Sequence, residues 1–184
     1  MPAGLTESLT TGELLDLVRF LSLLGKTDSP FVVGPARVAR RWEVLAPTPE
    51  MAQQIRHGGP SSVARDAARF RWTPTASKVN GELPLRDLVP IKIGYQSSDV
   101  AFVRCQLELT TAGKVKLRFN SLAGSQLWLD QTPIDLQLET VLDVSVGLHT
   151  LTFAVTPDSR KDGLRVELND VEGSPARARF VTSQ

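Results

Sequence analysis

In the stretch GSQLWLDQTPIDL, residues 124–136, a tryptophan and an aspartate stand two positions apart where the chain turns. An indole offers a flat apolar plane against which a sugar ring can stack, and a carboxylate accepts hydroxyl or amide hydrogen bonds, so Trp128 and Asp130 are candidate ligand contacts. Trp72, in FRWTP, is a third candidate. The competing reading keeps these residues in the fold. Asp130 opens DQTP, where its carboxylate accepts backbone N–H groups and starts a turn, and Trp128 packs in the core or at its rim. Neither histidine reads as a base or a ligand. His57 ends a helical segment, where an imidazole compensates the dipole, and His149 follows the turn residue Gly147, in phase with Leu151, Phe153 and Val155, which places it partly inside. The sequence contains no G-x-S-x-G elbow, no paired carboxylates with a pocket signal and no glycine-rich phosphate loop, so no catalytic residue is assigned and the chain reads as a non-enzyme. Cys105 is the single cysteine, which leaves no internal disulfide, CxxC pair or thiolate zinc site.

Charge excludes further classes. Lys and Arg total 21 against 20 for Asp and Glu in 184 residues, so no global field draws the chain to nucleic acid or to an anionic membrane. Arg37, Arg40, Arg41, Arg56, Arg65, Arg69 and Arg71 concentrate in one region, but with only Trp42, Phe70 and Trp72 among them they read as outward-facing charges and not as a nucleic-acid platform. No apolar run approaches the roughly 20 residues that span a bilayer, and the N-terminus has neither a basic nor an apolar signal region. If complete as written, the chain is a soluble cytoplasmic protein.

These residues need elements to hold them. Residues 10–25, TTGELLDLVRFLSLLG, space Leu14, Leu17, Val18, Leu21 and Leu24 three and four apart, as on one helix face. Thr10 and Glu13 make a capping box, and Gly25 with Lys26 marks the stop. Leu15, Phe20 and Leu23 widen the apolar surface, so more than one neighbour is needed to cover it. The helical segment therefore occupies 1–26, a polar linker 27–36, and a β-module 37–182. Within the module, Arg37–Leu45 reads as a first strand and TPEMAQQIRHG as a short surface helix capped by Thr48. A strand runs through Trp72, and Asn80-Gly81 makes a turn. From Val100 the period is two: Val103, Cys105, Leu107 and Leu109 alternate with Arg104, Gln106 and Glu108, and after a hairpin loop TTAG come Val115, Leu117 and Phe119. Further strands carry Leu127 and Leu129; Ile134, Leu136 and Leu138; Leu142, Val144 and Val146; GLHTLTFAV; and GLRVEL. Seven such strands with one wet face per sheet predict a mainly β fold, an antiparallel jelly-roll β-sandwich preceded by an amphipathic helix.

Two resemblances add to this reading. MPAGLTESLTTGELLDLVRFLSLLG, within residues 1–26, resembles the end of a class I c-type cytochrome domain, where a Met-Pro segment supplying the axial sulfur precedes an "LT..EL.DLV.FL" helix. The resemblance implies that Met1 holds the position of the haem-iron ligand, with Pro2 and Gly4 shaping its loop. No CxxCH occurs in the chain, so haem c would belong to a longer parent protein. The alternative is that Met1 is an initiator and the helix packs on the β-module.

Residues 37–181, through "RRWEVLAPTP", "VAFVRCQLEL", "GSQLWLDQTPID", "LDVSVGLHTLTFAV" and "GLRVEL", resemble jelly-roll modules appended to large secreted or periplasmic bacterial proteins, and sandwiches of the galactose-binding-like and protective-antigen sugar-binding kinds. Together the two parts look like the C-terminus of the large haem-binding, membrane-bound-dehydrogenase-like proteins of planctomycetes. That likeness implies a non-catalytic accessory module, periplasmic or extracellular, docking an upstream cytochrome-like domain, another protein or a second copy through its helix. It also implies two alternatives: a carbohydrate-binding module using Trp72, Trp128 and Asp130, or the tail of an electron-transfer cytochrome or dehydrogenase. In the calcium-binding relatives the loop before the "lWlD" strand carries consecutive acids; here it is NSLAGSQ, residues 120–126, without a carboxylate, and no metal is expected.

Overall fold

A strand whose side chains alternate apolar and polar has one face to bury, and two sheets built from such strands bury theirs against each other. The computed structural model of the protein describes residues 10–23, 36–93 and 99–181. The chain divides into two units, Met1–Pro35 and Ala36–Gln184. The first contains α1 (Thr11–Leu23), started by the expected capping box: the Thr10 N–H donates to Glu13 Oε2 at 2.8 Å and the Glu13 N–H to Thr10 Oγ1 at 3.3 Å. Gly25, Lys26 and the linker to residue 35 lie outside the described residues, as do Met1, Pro2 and Gly4.

The second unit runs β1 (Arg37–Val38), β2 (Arg41–Leu45), α2 (Pro49–Gly58), α3 (Ser61–Arg65), β3 (Trp72–Ala76), β4 (Glu82–Leu83), β5 (Ala101–Thr111), β6 (Gly113–Phe119), β7 (Ser125–Leu129), β8 (Thr132–Ile134), β9 (Glu139–Val144), β10 (Gly147–Val155), β11 (Leu164–Asp170) and β12 (Arg177–Phe180). The strands from β4 to β11 pair as a long hairpin folded double: β4 with β11, β5 with β10, β6 with β9, and β7 with β8. Wrapped up, they form one sheet in the order β4-β11-β6-β9 and another in the order β5-β10-β7-β8, which is the jelly-roll arrangement of two Greek keys. The strands outside this core extend it: β1 joins the first sheet, and β2, β3 and β12 join the second.

The sheets close on a shared core. Val103, Phe153 and Leu127 stand in one row across β5, β10 and β7, and Phe153 meets Phe119 of the opposite sheet at 6.1 Å and Trp42 at 5.7 Å between ring centroids. Trp42 satisfies its indole by donating to the Ala39 carbonyl at 3.0 Å. Cys105 is buried on this face, where desolvation pushes its thiol pKa far up, so it is inert packing.

The structure corrects several expectations. Arg37–Leu45 is not one strand: the chain crosses between sheets at Ala39-Arg40, so that β1 pairs with β11 while β2 pairs with β3 and β5. TTAG is not a hairpin loop, because β5 and β6 belong to opposite sheets and the segment arches from one to the other. Leu138 and Val146 continue the apolar phase of their segments, yet both are exposed; β8 stops at Ile134 and β9 at Val144, so they lie past the strand ends. The strand β12 was not anticipated.

The largest difference concerns the outer face of the second sheet. It is not wholly wet: α2 and α3 cover part of it, and Met51, Ile55, Val63 and Phe70 form a second core there with Leu45, Phe102, Trp128 and Ala154. The helix α2, capped by Thr48 Oγ1 accepting from the Met51 N–H at 3.3 Å, is the expected short surface helix, and it turns Met51 and Ile55 inward onto the sheet.

Candidate functional site

Trp128 points away from its neighbours Leu127 and Leu129, as alternation requires, and there it meets the helical cover. It is 4% exposed and packed in the second core, so neither ring face is open to a ligand. Trp72 is half-buried; its Nε1 donates to the Ala67 carbonyl at 3.0 Å, and the guanidinium of Arg104 lies over its ring, 4.3 Å from the centroid. Arg104 is held by Glu43 at 2.6 Å. One face of Trp72 is thus occupied by the protein itself.

Asp130 sits in the β7–β8 turn with φ 54°, a left-handed conformation that aspartate tolerates better than most residues. Its Oδ1 accepts the Thr150 N–H at 2.8 Å, its own N–H donates to the Thr150 carbonyl at 2.7 Å, and its Oδ2 lies 2.9 Å from His149 Nδ1. The other ring nitrogen of His149 lies 3.0 Å from the Ser145 carbonyl oxygen. Each imidazole nitrogen thus faces an acceptor, the neutral ring donating from one of them according to its tautomer, and the pair ties the β7–β8 turn to the β9–β10 turn. A base needs a free nitrogen facing a cavity, which His149 lacks. The three sequence candidates are not brought together: Asp130 lies at a turn, Trp128 under the helices, and Trp72 on the edge strand β3.

The loop that carries no carboxylate has its own cation. Arg160 is buried, and its Nη1 donates to the Ser121 carbonyl at 3.0 Å, the Ala123 carbonyl at 3.3 Å and Ser125 Oγ at 2.8 Å. Its Nη2 donates to the Gly163 carbonyl at 3.1 Å and Asn120 Oδ1 at 3.3 Å, and its Nε to the Asp162 carbonyl at 3.3 Å. Desolvation lowers the guanidinium pKa, with Asp162 acting in the opposite direction, but an arginine stays charged throughout the working range. Sequence reasoning missed Arg160, because its contacts along the loop lie 35 to 40 residues away.

A groove of about 520 Å³ opens between α2 and the α3 region. Gln53, Gln54 and His57 line it from α2, on the side opposite the buried Met51 and Ile55; Arg65, Asp66 and Arg69 line it from the other side. Phe70 contributes apolar surface. Glu50, at the rim, has its carboxylate pKa lowered by its own backbone N–H and by Thr48, which commits it to the helix start. The sequence reading had His57 and the arginines only as separate surface charges, because α3 is a single turn without a periodic pattern.

Nothing in the described residues fits a haem c or a metal centre. Covalent haem needs two thiols, and the one cysteine is buried in a strand. Among the described residues no three His, Cys, Asp or Glu side chains gather in a metal-holding group, and no helix is long and apolar enough to cross a membrane. Comparison with protein-family models, with curated proteins and with solved structures finds no match for this chain. What the fold defines is an antiparallel jelly-roll β-sandwich with a helical cover on one sheet.

Proposed function

We propose that this chain is a non-catalytic accessory module that docks a partner protein through α1, within a larger exported haem protein. The observation that carries the docking reading is the exposure of α1, which has no buried residue: Leu15 is 65%, Val18 54% and Leu21 53% exposed. Covering those three half-exposed side chains would contribute about 3 kcal/mol, at roughly 1.5–3 kcal/mol for full burial of each. A 13-residue helix is marginal without such cover. The partner is protein and not lipid, since the charged positions of α1 are Glu13, Asp16 and a single Arg19, whereas a helix lying on an anionic bilayer carries a basic polar face.

The test compares this chain with the same chain extended by the in-frame sequence that precedes it in the genome. Slow amide exchange of α1 in the extended protein, lost in Leu15→Asp/Leu21→Asp while the sandwich stays protected, supports docking. Equal, fast exchange in both proteins overturns it, and so does concentration-dependent dimerisation through α1, which would make the occupant a second copy. For the haem parentage, an in-frame CxxCH upstream is the expected finding, and an in-frame stop codon directly before Met1 removes that part of the reading.

A further inference from the structure

From the groove beside α2 we infer that the sandwich binds an acidic saccharide, a uronate-bearing sugar chain, independently of docking through α1. Eight of the ten residues that line the groove carry polar or charged side chains, and its volume of about 520 Å³ lies within the usual range of small-molecule sites, roughly 300–1,000 Å³. Among the described residues, the side chains of Gln53, Gln54, His57, Arg65, Asp66 and Arg69 make no hydrogen bond or ion pair to the protein, and all are exposed. Elsewhere on the sandwich some outward charges find partners, Arg37 with Asp170, Lys116 with Glu139, Arg165 with Glu167 and Arg179 with Glu108, while others, such as Arg41, Lys114 and Lys161, stand singly. The groove is where six unpartnered donors and acceptors gather in one concave place.

Their chemistry selects the ligand. Two primary amides and a carboxylate each engage a pair of neighbouring hydroxyls, donating to one and accepting from another, or accepting from both. Two guanidinium forks match a carboxylate bidentately. Phe70 lines the groove but is 9% exposed and belongs to the second core, so the contacts to a ligand fall to the polar side chains. The charge balance favours an acid over a neutral sugar: Arg65 and Arg69 face one uncommitted carboxylate, Asp66, because Glu50 is turned to the start of α2. A bare anion would use the arginines and leave the amides idle.

The experiment titrates tri-galacturonate, galactotriose and acetate into the ¹⁵N-labelled full chain and follows backbone and side-chain amides. Tri-galacturonate is expected to shift Gln53, Gln54, Arg65 and Arg69 saturably, with galactotriose weaker by about tenfold. Arg65→Ala/Arg69→Gln should weaken the acidic sugar by about tenfold or more, with Tm unchanged because both side chains are exposed. Gln53→Ala/Gln54→Ala should weaken both sugars. The proposal falls if neither sugar shifts groove residues, if acetate shifts them as strongly as tri-galacturonate, if galactotriose binds as tightly as the acid, or if the arginine variant binds the acid unchanged.

Discussion

Replacing Arg160 by alanine removes six hydrogen bonds at once, and the geometry says which of the acceptors suffer. Asn120 Oδ1 keeps the Arg165 N–H at 3.0 Å, the Gly163 carbonyl keeps Asn120 Nδ2 at 2.8 Å, and the Ala123 carbonyl keeps Ser125 Oγ at 3.3 Å. Only the Ser121 and Asp162 carbonyls lose their sole partner in the protein, and Asp162 is exposed, so water replaces the lost donor there. One part-buried orphan at about 1–3 kcal/mol, plus the net loss of the charged donors, puts Arg160→Ala at about 3 kcal/mol, well below the sum of six bonds. In a sandwich of this size that is a fall in Tm of roughly 6–12 °C. Arg160→Lys keeps the charge but loses the planar fork, and is expected to cost about 1–2 kcal/mol. Urea denaturation gives both values, and hydrogen exchange should show Asn120–Ser125 loosened while the β6–β9 pairing stays protected. An Arg160→Ala protein within about 0.5 kcal/mol of the parent, or a lysine variant as damaged as the alanine one, would refute the idea that fork geometry organises this loop.

Trp128→Ala is expected to cost about 3–5 kcal/mol by denaturant unfolding, as for a large ring leaving a dry core; a loss under 1 kcal/mol would restore Trp128 as a ligand contact. A Cβ at Gly163 would run into the Leu83 carbonyl oxygen, so Gly163→Ala should push β4 off β11 at a cost of about 1–3 kcal/mol, seen as lost exchange protection at Glu82 and Leu83. Asp130→Asn keeps a residue tolerant of positive φ and loses the charge facing His149, whereas Asp130→Ala loses both; the expected order of stability is parent, Asn, Ala, with the alanine protein lower by about 1–2 kcal/mol. Glu50 has a folded-state pKa below its ordinary 4.5, so its contribution is present above pH 4.5 and lost as pH falls through the lowered value; Glu50→Gln should flatten that acid limb in a stability–pH profile.

Most of the jelly roll was legible because its strands repeat a simple physical constraint. In β6 and β11, and in β5 from Val103 onward, the apolar residues hold strict alternation, and all of those on the inner phase are buried. Periodicity does not say which sheet a strand joins, since an arch and a hairpin can have the same length and the same glycine. That is why TTAG read as a hairpin and Arg37–Leu45 as one strand.

The helical cover left a mark in the sequence that is ambiguous strand by strand. AFV at 101–103, LWL at 127–129 and FAV at 153–155 each break alternation, and any one of them alone could be a strand end or a rim residue. Pairing resolves them: Ala154 stands opposite Phe102, and Trp128 opposite Thr152 next to it, so the breaks fall together on one part of the outer face. Three adjacent strands that are apolar on both faces in neighbouring rows require a third layer, and it comes from the segment between β2 and β3, where α2 and α3 form, together with Ile91 from the segment between β4 and β5. The groove follows from that layer, because a helix that turns Met51 and Ile55 inward turns Gln53, Gln54 and His57 outward. The candidate site thus depends on strand register, which a single sequence does not fix, while the sheets beneath it depend on alternation, which it does.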